Sequence, residues 1–212
     1  MQSAQSPIVQ QLSHPLAQHH LAGLRCRNTP PALFRYHAEV LAGLLAVEAT
    51  RDLPLASVEV ETPLEKMTAR RLAARIALVP ILRAGLGMTD PFLKLIPELE
   101  VRHLGIRRDE ETALPISYYD RLPPGKPPEL AIIVDPMLAT GGSAAHAAAA
   151  LYAWGVPQIR LACLLAAPEG IVHLNRRFPQ LQIITTAIDR QLNSRSYILP
   201  GLGDAGDRIF NT

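Results

Sequence analysis

The sequence predicts an α/β fold in which a central, mostly parallel sheet is flanked by helices, with an N-terminal helical segment and a small β arm. From Ala74 onward, strand-like and helix-like segments alternate along the chain, which is typical of this fold class. Strand-like runs such as 131–134 are apolar at every position, as expected of strands covered on both faces. The chain shows no internal repeat and no candidate domain boundary after residue 74. We therefore expect one domain over 1–212.

Composition indicates a soluble, compact protein. Of the 212 residues, 48% are hydrophobic and 19% are charged, which is an ordinary globular balance. The net charge of +2 is too weak to indicate nucleic acid or a membrane surface as a partner. No segment reaches the roughly 18 apolar residues that a membrane-spanning helix needs, and the first residues do not form a secretory signal. The two cysteines, Cys26 and Cys163, form no disulfide framework. We expect a cytoplasmic protein.

Two helices are predicted at the start of the chain. The first covers 14–24 and carries Pro15 in its first turn. We expect Thr29 to cap a longer second helix, with Pro30 and Pro31 in its first turn, where a missing N–H is tolerated. The apolar stripe of this second helix recurs at helical spacing and consists of Phe34, Leu41, Leu44 and Leu45.

Residues 57–72 predict the small β arm. Apolar and polar residues alternate here around Thr62 and Pro63, which favours two short strands with one solvated face. The sheet follows, and its strands are expected at 75–82, 102–106, 130–135, 159–167 and 181–188. Helices between these strands are expected at 91–95, 143–154 and 170–177.

The strongest chemical signal is a phosphate-binding turn between strand 130–135 and helix 143–154. The strand ends at Asp135, and the small residues Ala139, Thr140, Gly141, Gly142 and Ser143 lead directly into the helix. Small residues let the backbone approach an anion, and the N-terminus of the helix adds partial positive charge. No Lys follows Gly142, so a Walker-type triphosphatase is disfavoured. The alternative for this motif alone is an ordinary strand-to-helix turn.

The segment from Asp135 to Ser143, DPMLATGGS, resembles the phosphoribosyl-pyrophosphate (PRPP) loop of uracil phosphoribosyltransferases, a type I phosphoribosyltransferase family. Further segments resemble that family in the same order along the chain, and they are VPILRAGLGM (79–88), RRDEET (107–112), LLAAPEG (164–170) and YILPGLGDAGDRIF (197–210). The resemblance therefore covers nearly the whole chain. It implies N-terminal helices and arm over 1–73, a PRPP-binding core over 74–190 and a uracil-binding segment over 191–212.

The resemblance also implies the PRPP contacts. Arg83 and Arg108 follow predicted strands, at the sheet edge where open α/β folds bind ligands, and a guanidinium fork suits a pyrophosphate. Without the resemblance, two solvated surface arginines are the better interpretation. The residues implied to bind PRPP are Arg83, Arg108, Asp135, Pro136, Met137, Leu138, Ala139, Thr140, Gly141, Gly142, Ser143 and Asp204. Asp135 and Arg108 are the implied catalytic residues.

The segment 197–207 carries three glycines in six positions, so it cannot form a regular helix or a central strand. Such a segment can present main-chain N–H and C=O groups to a flat base. By resemblance, the base uracil is bound by Ile198, Gly203, Asp204 and Ala205. The alternative is a glycine-rich turn with Asp207 capping a last helix. Upstream, Ser194-Arg195-Ser196 departs from the family, which tends to carry Gly before the Tyr.

The implied reaction converts uracil and PRPP to UMP and diphosphate, with Mg²⁺ held mainly through PRPP and no dedicated protein metal site. The resemblance also implies a homo-oligomer and raises GTP as a candidate activator. Two alternatives stay open: a phosphoribosyltransferase for another base, and a nucleotide-sensing or RNA-binding regulator without turnover. The stretch 110–127 is either a cover over the site or a plain surface loop.

Overall fold

The computed structural model describes residues 9–108, 115–120, 122 and 125–212, with the backbone alone at 107, 108, 115–117 and 120. Its helices are α1 (Pro15–Arg25), α2 (Pro31–Ala49), α3 (Thr89–Leu95), α4 (Gly142–Trp154), α5 (Pro168–Arg177) and α6 (Ala205–Phe210), with a 3₁₀ turn at Ala84–Met88. Its strands are β1 (Val9–Gln11), β2 (Leu55–Glu61), β3 (Lys66–Leu72), β4 (Ile76–Leu82), β5 (Glu100–Val101), β6 (Leu104–Arg108), β7 (Pro115–Asp120), β8 (Leu130–Val134), β9 (Met137–Leu138), β10 (Gln158–Ala166), β11 (Gln182–Ile188), β12 (Gln191–Leu192) and β13 (Ile198–Leu199).

The central sheet has the strand order β1-β11-β10-β8-β4-β6-β7, with β5 beside β4 and β9 beside β10. Every pairing in it is parallel except that of β6 with β7. This confirms the predicted mostly parallel sheet flanked by helices. Strand β7 lies within the stretch 110–127, so where that stretch is described it extends the sheet. Residues 109–114, 121, 123 and 124 of this region lie outside the described residues.

Both faces of the sheet are covered, which explains the continuous apolar runs. Ile132 and Ile133 are neighbours on β8 and both are fully buried, although side chains alternate between the faces of a strand. Ile132 belongs to the apolar cluster that contains Phe34 of α2, whereas Ile133 belongs to the cluster that contains Leu151 of α4. The site-bearing strand β8 is thus held from both sides.

The predicted capping of α2 by Thr29 is wrong. The helix begins at Pro31, and Pro30 precedes it in an extended conformation that suits a residue followed by proline. The hydroxyl of Thr29 instead donates to the carbonyl of Gly23 at 2.6 Å, near the end of α1. The predicted apolar stripe of α2 is confirmed, since Phe34, Leu41 and Leu45 are buried and Leu44 packs against the same core.

Strands β2 and β3 form the predicted arm, as an antiparallel hairpin of seven paired positions. Every residue of both strands is exposed or only partly buried, so solvent reaches more of the arm than the one solvated face that was predicted. The main chain closes the base of the arm, where the amide of Ala73 donates to the carbonyl of Pro54 at 3.0 Å. Among the described helices, none is both long enough and apolar enough to cross a bilayer.

Candidate active site

The parallel register brings the predicted ligand-binding residues to one edge of the sheet. Pro80 of β4 pairs with Val134 of β8, so Arg83 and Asp135 follow neighbouring strands at their carboxyl ends. Arg83 is exposed, and its guanidinium makes no hydrogen bond or ion pair with any described residue. Arg108 is the last residue of β6, one strand further along; its side chain lies outside what the structure describes.

The loop after Asp135 has the geometry of an anion site. Met137 and Leu138 form the short strand β9 beside β10, and Gly141, in a left-handed conformation with φ of 82°, is the N-cap of α4. No described side chain caps this helix, and its first turn holds no acidic residue. The first amides of α4 are therefore open to a ligand, at the positive end of the helix dipole. The loop encloses a cavity lined by Asp135, Met137, Leu138, Ala139, Thr140, Gly141, Gly142, Ser143, Ala144 and Leu161.

The start of α5 supports the loop 139–143, the predicted phosphate loop, from behind. A Cβ on Gly141 would lie 2.9 Å from the carbonyl oxygen of Gly170, and a Cβ on Gly170 would collide with the carbonyl oxygen of Ala139. The two backbones approach more closely than side chains permit. Gly170 also contributes to this site. It ends the family-like segment 164–170, but no role was predicted for it, because the contact joins segments about 30 residues apart.

Asp135 lies at the centre of the site. Burial raises the pKa of its carboxyl to about 7, repulsion by the nearby Asp204 adds to this rise, and a hydrogen bond from the Met137 amide (3.3 Å) opposes it. A carboxyl with this pKa exchanges its proton near neutral pH, and it favours ligands that offer hydroxyl donors or positive charge.

The C-terminal segment forms a second cavity of about 410 Å³ beside the first. Ile198, Gly203, Asp204 and Ala205, all predicted to bind a base, line it. Asp135, Met137 and Ala139 line both cavities, so the two form one cleft. Pro136, which was predicted to bind PRPP, lines neither of these two described cavities. Its carbonyl is instead engaged in the sheet, where it accepts the amides of Leu164 and Leu165.

Asp204 has a structural task as well. Its carboxylate caps α6 by accepting the amide of Asp207 at 3.0 Å. The alternative in which Asp207 caps this helix does not hold, since Asp207 lies inside the first turn and donates its amide to Asp204. The cap fixes the main chain between Gly203 and Ala205, where it faces the cavity.

The turn between β12 and β13 adds residues that sequence reasoning did not assign to the site. Arg195, Ser196 and Tyr197 line the second cavity. The carboxamide of Asn193 accepts the amides of Arg195 and Tyr197, both at 2.9 Å, and shapes the turn. Ser196 adopts a φ of 62°, which explains why glycine suits this position. The sequence signal for this turn is the serine at position 196, where the family tends to carry glycine before the tyrosine.

The cleft combines a loop with the geometry of an anion site, the Asp135 carboxyl with its pKa raised to about 7, and the glycine-rich main chain of the C-terminal segment. The sequence profile of the uracil phosphoribosyltransferase family matches residues 11–212. A uracil phosphoribosyltransferase of Roseiflexus sp. (strain RS-1) is 51% identical over 199 residues, which cover 94% of this chain and 96% of that protein.

Solved structures show the same fold. The AQ2163 protein from Aquifex aeolicus superposes with a TM-score of 0.91 at 36% identity, over 96% of this chain and 98% of that one. An adenine phosphoribosyltransferase from Leishmania donovani shares the fold, with a TM-score of 0.58 at 13% identity over 92% of this chain and 89% of that one. The chain belongs to the uracil phosphoribosyltransferase family.

Proposed function

We propose that the protein transfers the phosphoribosyl group of PRPP to N1 of uracil, giving UMP and diphosphate in pyrimidine salvage. The observation that carries this proposal is the shared lining of the two cavities by Asp135, Met137 and Ala139. A phosphate held at 139–143 and a base held at 198–205 would meet across Asp135, where the ribose between them belongs.

In the proposed mechanism the bond from C1′ to the diphosphate oxygen breaks, the bond from C1′ to N1 of uracil forms, and the N1 proton passes to solvent. The amides of the phosphate loop and of the first turn of α4 hold the 5′-phosphate. Asp135 holds the ribose hydroxyls and offsets the positive charge that develops on the ribose. Arg83 and Arg108 offset charge on the departing diphosphate. Main-chain groups of Ile198, Gly203 and Ala205 read the edge of the base.

The residues present fit a Mg²⁺ ion that arrives with PRPP. Asp135 and Asp204 both line the second cavity and supply the hard oxygen donors that Mg²⁺ prefers. Among the described residues, no group of three or more His, Cys, Asp or Glu could form a complete metal site. A site with few protein ligands suits a cation that keeps its waters and the oxygens of its substrate. When bound, Mg²⁺ would neutralise charge on the diphosphate.

The experiment that tests this function follows UMP and diphosphate from uracil and PRPP, with Mg²⁺ and with EDTA. We expect the two products in a 1:1 ratio, and no turnover in EDTA. PRPP binding without nucleotide formation from any base would contradict the proposal and favour a regulator.

We also propose that the protein works in the cytoplasm as a homo-oligomer. Both Cys26 and Cys163 are free thiols, which suits a reducing compartment. The exposed arm β2–β3 is the surface we assign to contacts between copies. GTP as an activator is a further proposal that rests on the family resemblance, and the same assay with and without GTP tests it.

A further inference from the structure

The main chain between Ile198 and Ala205 makes a sharp turn at Gly201. This glycine has a φ of 64°, and a Cβ here would collide with the carbonyl oxygen of Ile198. The turn joins the two parts of the segment that line the second cavity, Ile198 on one side and Gly203 to Ala205 on the other. A displacement of Gly201 would therefore move both parts of the base site together.

Two charged side chains hold Gly201 by both of its peptide groups. The Gly201 amide donates to Oδ2 of Asp189 at 2.8 Å, and Nη1 of Arg25 donates to the Gly201 carbonyl at 2.9 Å. The same guanidinium bonds both carboxylate oxygens of Asp189, at 2.8 Å for Nη1 to Oδ2 and 2.5 Å for Nη2 to Oδ1. We call these three residues the Gly201 clamp.

The clamp is built from distant parts of the fold. Arg25 is the last residue of α1, and Asp189 follows β11, where its amide donates to the carbonyl of Ala166 on β10 at 2.8 Å. The side chain of Asp189 is only 4% exposed, and that of Arg25 is 27% exposed. The hydrogen bonds from Arg25 and from the Gly201 amide hold the pKa of Asp189 below its usual range in spite of burial, so the carboxylate stays charged. Removing Arg25 would leave this buried charge unpaired.

We propose that Arg25 and Asp189 are positioning residues that set the base-binding main chain, and thereby the affinity for uracil, without touching either substrate. This inference rests on the proposed function. A rigid guanidinium fork suits the task because it bonds the carboxylate and the carbonyl at the same time, which the ammonium of lysine does less well.

Another arginine contact to the C-terminal segment supplies a matched control. Arg35 of α2 donates to the carbonyl of Ile209 at 3.0 Å, at the far end of α6 from the cavity. Its removal also takes one arginine-to-carbonyl bond from the C-terminal segment, but leaves Gly201 in place. Arg35→Gln therefore separates the loss of a general tether from the loss of the clamp.

The test is steady-state kinetics of Arg25→Met, Arg25→Lys, Asp189→Asn and Arg35→Gln. Since misplacement of a binding group by about 1 Å can cost up to about 100-fold, we expect Arg25→Met and Asp189→Asn to raise the KM for uracil about tenfold or more. The KM for PRPP should stay within about twofold, because the phosphate loop keeps its own support, and Arg25→Lys should fall between wild type and Arg25→Met. Arg35→Gln should leave both constants unchanged.

Parallel increases of both KM values, or an unchanged KM for uracil in the folded variants, would overturn the positioning role. If Arg25→Met fails to fold, Arg25→Lys and Asp189→Asn decide the question.

Hydrogen exchange gives a readout that does not need turnover. Peptides covering 198–205 should exchange at least about tenfold faster in Arg25→Lys than in wild type, whereas peptides from α4 should not change. Equal exchange in 198–205 would overturn the clamp. A wild-type protein that makes no UMP would instead overturn the proposed function and leave this exchange result to stand alone.

Discussion

Asp135 illustrates, at the scale of a single residue, how a functional group costs stability. Its carboxyl has an ordinary pKa of 3.8 that burial raises to about 7, so the folded chain takes up a proton that the unfolded chain releases. Between these two pKa values, the folded state binds more protons than the unfolded state. Asp135 therefore lowers the free energy of unfolding progressively as pH rises from about 4 to about 7. Above pH 7 this penalty on stability stays constant.

The substitution Asp135→Asn should remove this penalty. We expect the variant to melt at least about 3 °C above wild type at pH 8, and this difference in Tm to shrink to less than about half by pH 5, which thermal unfolding at both pH values would measure. A pH-independent difference in Tm would contradict the raised pKa.

The same substitution should damage catalysis more than binding. Because Asp135 is proposed to act on the ribose and not on the base, we expect kcat to fall about 100-fold or more while the KM for uracil changes less than about threefold. Initial rates at varied uracil, with PRPP saturating, give both constants. Equal losses in turnover and in uracil binding would count against this role.

Ser196 costs stability for a different reason, namely its backbone conformation. At a φ of 62° a serine is strained where a glycine is not, so Ser196→Gly should stabilise the protein by about 1 kcal/mol. Chemical denaturation measures this change. Ser194→Gly is the control: it is not among the described residues with positive φ, and we expect it to destabilise slightly. If Ser196→Gly were the less stable of the two, the strain assigned to Ser196 would be wrong.

At the scale of the elements, the phosphate loop depends on how closely α5 approaches it. Gly170→Ala places a methyl group against the carbonyl oxygen of Ala139, and the loop must move. We expect the KM for PRPP to rise about tenfold or more, since the amides that we propose hold the phosphate would lose their alignment.

Gly43→Ala supplies the control for this prediction. The nearest atom to a Cβ at position 43 is 3.9 Å away, on Pro91, so the helix α2 accepts the methyl group. The control should leave kinetics unchanged and raise stability by about 0.5–1 kcal/mol. Unaltered kinetics in Gly170→Ala would show that the loop does not need this support.

The elements that sequence alone could predict are those that local pattern determines. The apolar run of β8 and the small residues of 139–143 identify a buried strand and the turn after it, and both lie where predicted. β1 could not be predicted, because its three residues form a strand only by pairing with β11, some 170 residues later. The same holds for Arg25, since its partners Asp189 and Gly201 come from the other end of the chain. Two capping assignments failed for local reasons. Pro30, and not Thr29, precedes the first residue of α2, and Asp204, and not Asp207, caps α6.

The arm raises the question of assembly at the scale of the whole molecule. A two-stranded hairpin alone is marginally stable in water, yet this one presents apolar side chains such as Leu64, which is 94% exposed, and Met67. A second copy that covers the arm would explain both features.

Replacing residues 56–71 with Asn-Gly should therefore lower the copy number without unfolding the core. The bond from Ala73 to Pro54 keeps the ends of the arm together, and Asn-Gly suits a two-residue hairpin. Sedimentation velocity compares the copy number of the two proteins. If both proteins have the same copy number, the arm is excluded from the interface.

We propose that one cleft holds both the phosphate of PRPP and a base that main-chain groups recognise. The most direct test of this proposal is a competition in which uracil, cytosine, orotate and xanthine at equal concentration share limiting PRPP and Mg²⁺, with products separated by chromatography. We expect UMP to exceed every other nucleotide by at least about 100-fold, because bases with other edge groups leave buried main-chain groups unpaired. A mixture of nucleotides, or a dominant product other than UMP, would contradict it.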